Sequence, residues 1–190
     1  MGKKGILVIL TGASSVGKSK IRDLLMQDKD LKLFYSISMT TRKQRANEED
    51  GKDYYFVDFK AFAEALKNHE LLEFTEFDGY YYGTPKEQVD FLLSTGKNVL
   101  VEVEAQGVGQ IKLQYPDSIA FFVKPRTMEE LKEQILERYK DNDASAARRI
   151  SKASVEMDLE PLFKHVVDNS DPEKAKTEIK KVILEKMTNK

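Results

Sequence analysis

The chain opens on a continuous run of Ile, Leu and Val from Gly5 to Leu10, the pattern of a parallel strand covered on both faces. A glycine loop then leads into helical spacing at Ile21, Leu24, Leu25 and Met26. The same alternation returns downstream. Lys86 to Ser94 predicts a helix, Thr95-Gly96-Lys97 a turn, Asn98 to Glu104 a strand and Gly107 to Tyr115 another helix. Ile119 to Val123 is a further apolar run closed by Lys124-Pro125. After it Thr127 can cap a helix whose Glu129 and Glu130 lie in the first turn, where the helix dipole favours acids. Val166 and Val167 supply a last short strand. Strands alternating with helices predict an α/β fold of three layers around a parallel central sheet.

Between the first helix and Lys86 the texture changes. Ser36-Ile-Ser-Met-Thr-Thr, Tyr54-Tyr-Phe-Val, Leu71 to Phe77 and Tyr80-Tyr-Tyr read as short β segments around one helix at Asp58 to Asn68. This predicts a small β-rich lobe, about residues 34–85, inserted into a core of 1–33 and 86–190. A second interruption, Tyr139 to Ala147, is polar and poor in large apolar groups. It predicts a short mobile lid, about 138–149, rather than core.

The 190 residues suffice for one sizeable domain. With 31 Lys plus Arg against 32 Asp plus Glu, nothing in the overall charge points to nucleic acid or membrane. The absence of cysteine excludes disulfides, thiolate metal sites and thiol nucleophiles, and suits a cytoplasmic protein. The apolar run after Lys3 and Lys4 stops at Thr11, too short for a secretory core or a membrane span.

Gly12-Ala13-Ser14-Ser15-Val16-Gly17-Lys18-Ser19 fits the spacing G-x-x-x-x-G-K-[ST], between a predicted buried strand and a predicted helix. Such a loop turns successive amide N–H groups towards phosphate oxygens beside the positive end of the helix. Lys18 adds a movable charge for the β- and γ-phosphates of ATP, and the Ser19 hydroxyl suits Mg²⁺. Glu102 and Glu104, two apart on the predicted strand, would share one face, an arrangement suited to Mg²⁺ or guanine. His69 and His165 have no matching catalytic or ligand partner and read as structural.

Further blocks follow in order: Ser36-Ile-Ser-Met-Thr-Thr-Arg-Lys-Gln-Arg, Asp50-Gly-Lys-Asp-Tyr-Tyr-Phe-Val, Glu70-Leu-Leu-Glu-Phe, Tyr81-Tyr-Gly-Thr-Pro, Val101-Glu-Val-Glu-Ala-Gln-Gly and Arg138 to Arg149. By these blocks the chain resembles guanylate kinases from Phe34 to about Asn169. The resemblance implies transfer of the γ-phosphate of ATP to GMP with Mg²⁺, in a monomer or homodimer. It implies that Arg42, Arg45, Tyr54 and Tyr82 hold the GMP phosphate, that Ser38, Glu73 and Thr84 read guanine, and that Glu102 and Glu104 occupy acidic positions of the same site. Arg138 and Arg149 would close on the triphosphate, and Asn169 would lie near adenine. Two guanidinium forks suit a dianionic phosphate, and a carboxylate can accept from N1–H and the 2-amino group of guanine, which adenine cannot offer. Only one of the neighbours Arg148 and Arg149 is expected to face the nucleotide, the other sitting in a surface ion pair.

The chain departs from the family pattern at Ser15 (usually Gly), Lys20 (usually Thr), Glu104 (usually Asp) and Tyr139-Lys140 (usually Gly-Thr). Two other readings fit the same blocks. One is a non-catalytic module that keeps the fold to bind nucleotide or a phosphorylated protein, although such a module has no need of Gly17-Lys18-Ser19. The other is a kinase accepting a wider range of purine monophosphates.

Overall fold

The computed structural model describes residues 4–189. Met1, Gly2 and Lys3, which open the basic segment before the first apolar run, lie outside the described residues, as does Lys190. In chain order the elements are β1 (Leu7–Gly12), α1 (Lys18–Gln27), β2 (Leu33–Tyr35), β3 (Met39–Thr40), β4 (Tyr55–Phe56), α2 (Phe59–Lys67), β5 (Leu71–Phe77) and β6 (Tyr80–Pro85). They continue with α3 (Lys86–Ser94), β7 (Asn98–Glu102), α4 (Ala105–Gln114), β8 (Ile119–Lys124), α5 (Met128–Arg138), α6 (Asp143–Met157), β9 (His165–Asp168) and α7 (Pro172–Thr188).

Five strands form a parallel sheet in the order β2-β7-β1-β8-β9. Every residue of β1 is buried, which is why its sequence does not alternate with polar residues. Val8 and Leu10 pack with Ile21 and Leu25 of α1, Leu131 and Ile135 of α5 and Ile179 of α7. Leu7 and Ile9 point the other way, into Val89 of α3 and Val108 and Ile111 of α4. One strand thus feeds two cores and fixes three layers, each fully buried aliphatic side chain contributing about 1.5–3 kcal/mol. Asn98 ties the sheet edge, accepting from Ile6 N at 3.0 Å and donating to Leu31 O at 2.9 Å.

The remaining strands form a second sheet, β4-β3-β6-β5, with α2 packed on it through Phe62, Ala65 and Leu71. Asp58 starts α2 by accepting from Ala61 N at 2.7 Å, as an N-cap aspartate should.

The structure moves several expected boundaries. β2 lies in the main sheet, so the expected lobe boundary at 34 falls inside a core strand. Of Ser36 to Thr41 only Met39 and Thr40 are strand. The strand predicted to reach Glu104 ends at Glu102, and α4 begins at Ala105 with Glu104 as its N-cap residue. The segment expected to be lid and not core contains the start of a 15-residue helix, α6, whose Ala146 and Ala153 are buried in the main core. Small alanines carried that buried face, so the apolar signal was weak.

Candidate functional site

Gly12 to Ser19 leaves the carboxyl end of the central strand β1 and enters α1. Gly12 has φ 141°, and a Cβ there would run into the carbonyl of Val123 on β8. Gly17, at φ 88°, caps α1 in the left-handed region. Ser15 holds φ 66° without being glycine. Lys18 folds its Nζ back onto the carbonyls of Gly12 at 3.0 Å and Ala13 at 3.1 Å. Ser14 N donates to Oε2 of Glu156 on α6 at 2.6 Å. Asn169 braces the loop from behind, its Nδ2 donating to Val16 O at 2.5 Å and its backbone N to Lys124 O at 2.9 Å. Ser19 stands exposed in the first turn of α1.

A cleft of about 280 Å³ separates this loop from the inserted lobe. Ser14, Ser15 and Lys18 line it on one side, and Ser38, Arg42, Arg45, Tyr54, Glu73 and Tyr82 on the other; Glu102, Glu104 and Arg149 complete the wall. Residues scattered from 14 to 149 therefore converge on one space. Thr84 lies behind Glu73. Gly12, Ala13, Val16, Gly17 and Ser19 frame the loop without lining the cleft. Asn169 contacts the loop backbone and Arg138 is exposed, and neither lines the cleft. Glu104 reaches the same space as Glu102, but from a helix cap and not by strand alternation.

Glu73 is buried in β5, accepts the Thr84 hydroxyl at 2.8 Å, and Thr84 Oγ1 lies 3.4 Å from Ser38 Oγ. Burial pushes its carboxyl up to about 7, against the hydrogen bond from Thr84 and with help from Glu104. At the far end Arg42 grips Glu48 with both forks, at 2.9 and 2.8 Å, while Arg45 N donates to the same carboxylate at 2.9 Å. Burial alone would raise Glu48, but the hydrogen bonds from Arg42 and from Arg45 N outweigh it and hold the carboxyl below its usual range. Tyr54 and Tyr82 stack edge-on, ring centroids 6.0 Å apart, with the Arg42 guanidinium 5.5 Å from the Tyr54 ring.

The Arg149 guanidinium lies between the rings of Tyr139 at 4.6 Å and Phe77 at 5.4 Å. Arg148 points outward into an ion pair with Asp78 at 2.6 Å. Arg138 rests on the same Tyr139 ring at 5.7 Å. Four buried polar atoms of the cleft wall, Ser15 Oγ, Thr75 Oγ1, Glu104 Oε2 and Arg149 Nε, have no partner among the described residues, as expected of a surface shaped for a polar ligand.

Sequence reasoning missed Arg22, Tyr35, Glu48, Lys152 and Glu156, all of which line the cleft. Arg22 pairs with Glu102 at 3.4 Å and lies over Tyr35, and Lys152 pairs with Glu104. Glu48 had a signal, an acid three residues beyond Arg45. Glu156 had none, being one acid among several on a polar helix.

A parallel sheet with a glycine-framed phosphate loop at the end of its central strand, facing an inserted lobe, defines a P-loop nucleotide-binding α/β protein. The family model described as guanylate kinase matches residues 4–186. The chain is 38% identical over 182 residues to the guanylate kinase of Bacillus cereus (strain ZK / E33L), covering 96% of this chain and 89% of that protein. It is 36% identical over 184 residues to that of Bacillus subtilis (strain 168), covering 97% and 90%. The crystal structure of guanylate kinase from Anaplasma phagocytophilum shares the fold, with a TM-score of 0.80 at 24% identity over 98% of this chain and 88% of that one. The chain belongs to the guanylate kinase family.

Proposed function

We propose that the protein transfers the γ-phosphoryl group of ATP to GMP, giving ADP and GDP. The observation that carries this reading is the single cleft with the phosphate loop on one wall and paired arginines, tyrosines and a buried carboxylate on the other. ATP would lie on the loop amides of Gly12 to Ser19, with Lys18 exchanging its loop carbonyls for phosphate oxygens and Asn169 keeping the loop in place near the adenine. GMP would lie against the lobe, its phosphate on Arg42, Arg45, Tyr54 and Tyr82 and its base on Ser38, Glu73 and Thr84. A GMP phosphate oxygen attacks the γ-phosphorus as the bond to the β-phosphate oxygen breaks. Lys18 and Arg149 neutralise the charge on the transferring group without a covalent enzyme intermediate.

Mg²⁺ fits this site as a substrate-borne ion. Among the described residues no three Asp, Glu, His or Cys side chains converge as a cage. The exposed Ser19 hydroxyl suits an ion that keeps phosphate and water oxygens as its other ligands. When bound it would supply charge neutralisation on the phosphates. Glu102 and Glu104, held by Arg22 and Lys152, would face the same region.

The lobe, taken from residue 36 to 85, would close on the substrates, and of the lid expected at about 138–149 the exposed turn between α5 and α6 would move with it, bringing Arg138 inward from its exposed position. No helix among the described residues is long and apolar enough to cross a membrane.

The test is ADP formation from Mg-ATP with GMP, dGMP, AMP, CMP and UMP in separate reactions, with Lys18→Ala as control. Turnover with GMP, little with AMP, and a loss of orders of magnitude in the variant are expected. GMP binding without turnover would instead make the protein a binding module, and equal use of AMP would remove the guanine reading.

A further inference from the structure

Two groups of the phosphate loop are engaged by the chain itself. Lys18 donates to the loop's own carbonyls, and the amide of Ser14 donates at 2.6 Å to Oε2 of Glu156, a carboxylate from a helix 142 residues away in sequence. Glu156 is 7% exposed and lines the cleft. An amide in this kind of loop is a seat for a phosphate oxygen, and a carboxylate oxygen is its nearest side-chain counterpart in charge and acceptor geometry.

We propose that Glu156 is a positioning residue that occupies the Ser14 anion seat while the loop is empty, keeps the loop shaped for phosphate, and yields the seat when nucleotide enters. This rests on reading Gly12 to Ser19 as the nucleotide phosphate loop. The carboxylate is an internal competitor, so the nucleotide must displace one charge-assisted hydrogen bond before it gains its own. Lys152, one turn earlier on α6 and therefore on the same helix face, acts electrostatically on this carboxylate and already pairs with Glu104. The groups acting on Glu156 are Lys18 from α1, Lys152 from α6, Glu104 from the cap of α4 and the Ser14 amide. Burial is the largest influence and raises its carboxyl above the usual range.

The experiment is calorimetric binding of MgADP, without GMP, to wild type and Glu156→Gln. The amide keeps the size and one acceptor but removes the charge. MgADP should bind the variant about tenfold more tightly, the scale of one charge-assisted hydrogen bond, while GMP affinity stays unchanged. Equal or weaker MgADP binding in a variant that melts normally would overturn the proposal. Wild type that fails to bind MgADP would remove the phosphate-loop reading, and this inference with it.

If the variant does not fold, wild type decides by NMR. The Ser14 amide proton should move upfield in the empty protein as acid protonates Glu156, and show no such response when MgADP is saturating. An amide proton indifferent to pH in the empty protein would overturn the proposal.

Discussion

Thr84 donates its hydroxyl to Oε1 of Glu73 at 2.8 Å, fixing a buried carboxylate at the lobe end of the cleft. That carboxyl is pushed up from an ordinary 4.5 to about 7, chiefly by burial. The folded empty protein therefore favours its protonated form, so Glu73's contribution to stability is full below about 4.5 and is lost as pH rises through about 7. Guanine in the proposed site would need the opposite form, a carboxylate that accepts from N1–H and the 2-amino group. GMP affinity should weaken as pH falls below 7, and GMP binding near pH 6.5 should release protons, seen by calorimetry in buffers of different ionisation enthalpy. Glu73→Gln should abolish Glu73's share of that release, and a release unchanged in the variant would assign it to another group.

The same variant should collapse the preference for GMP over AMP by about two orders of magnitude or more, read as the ratio of kcat/KM values. An unchanged ratio would move guanine recognition elsewhere.

Gly107 in α4 faces the other oxygen of Glu73, and a Cβ there would lie 2.6 Å from Oε2. Gly107→Ala improves helix propensity by about 1 kcal/mol but forces the carboxylate to shift. KM for GMP should rise by about tenfold, with KM for ATP unchanged and the fold retained; a normal KM for GMP would show that Glu73 has room to move.

Ser15 holds φ 66° in the loop with its hydroxyl buried and without a partner among the described residues. Ser15→Gly should relieve about 1–2 kcal/mol of left-handed strain. Against this stands about 0.5–1 kcal/mol for glycine's added freedom in the unfolded chain. The melting temperature should rise by about 1–3 °C, whereas a fall would mean that the serine side chain supports the loop.

Arg149 faces the cleft and Arg148 pairs with Asp78 at the surface. Arg149→Ala should lower kcat by about 10²–10³, while Arg148→Ala should leave kcat within about threefold, as for an exposed ion pair. Reversed effects in steady-state kinetics would exchange the two roles.

Sequence alone determined what each segment must bury and where the chain must turn. The unbroken apolar run of β1 could only be a strand covered on both faces, and Gly12 and Gly17 mark backbone that side chains would obstruct. The boundaries of α3 were legible because helical spacing, a turn and a strand pattern adjoin there. Blocks from Arg42 to Arg149 were recognisable one by one, but not their arrangement. Only tertiary structure placed Leu33–Tyr35 in the main sheet, because three residues carry too little periodicity and β7, more than sixty positions away, supplies the hydrogen bonds. It alone buried Glu73, turned Arg149 inward and Arg148 outward, and set Glu156 on Ser14 N. Those are contacts between distant segments, fixed by how the layers stack, and local pattern carries no record of them.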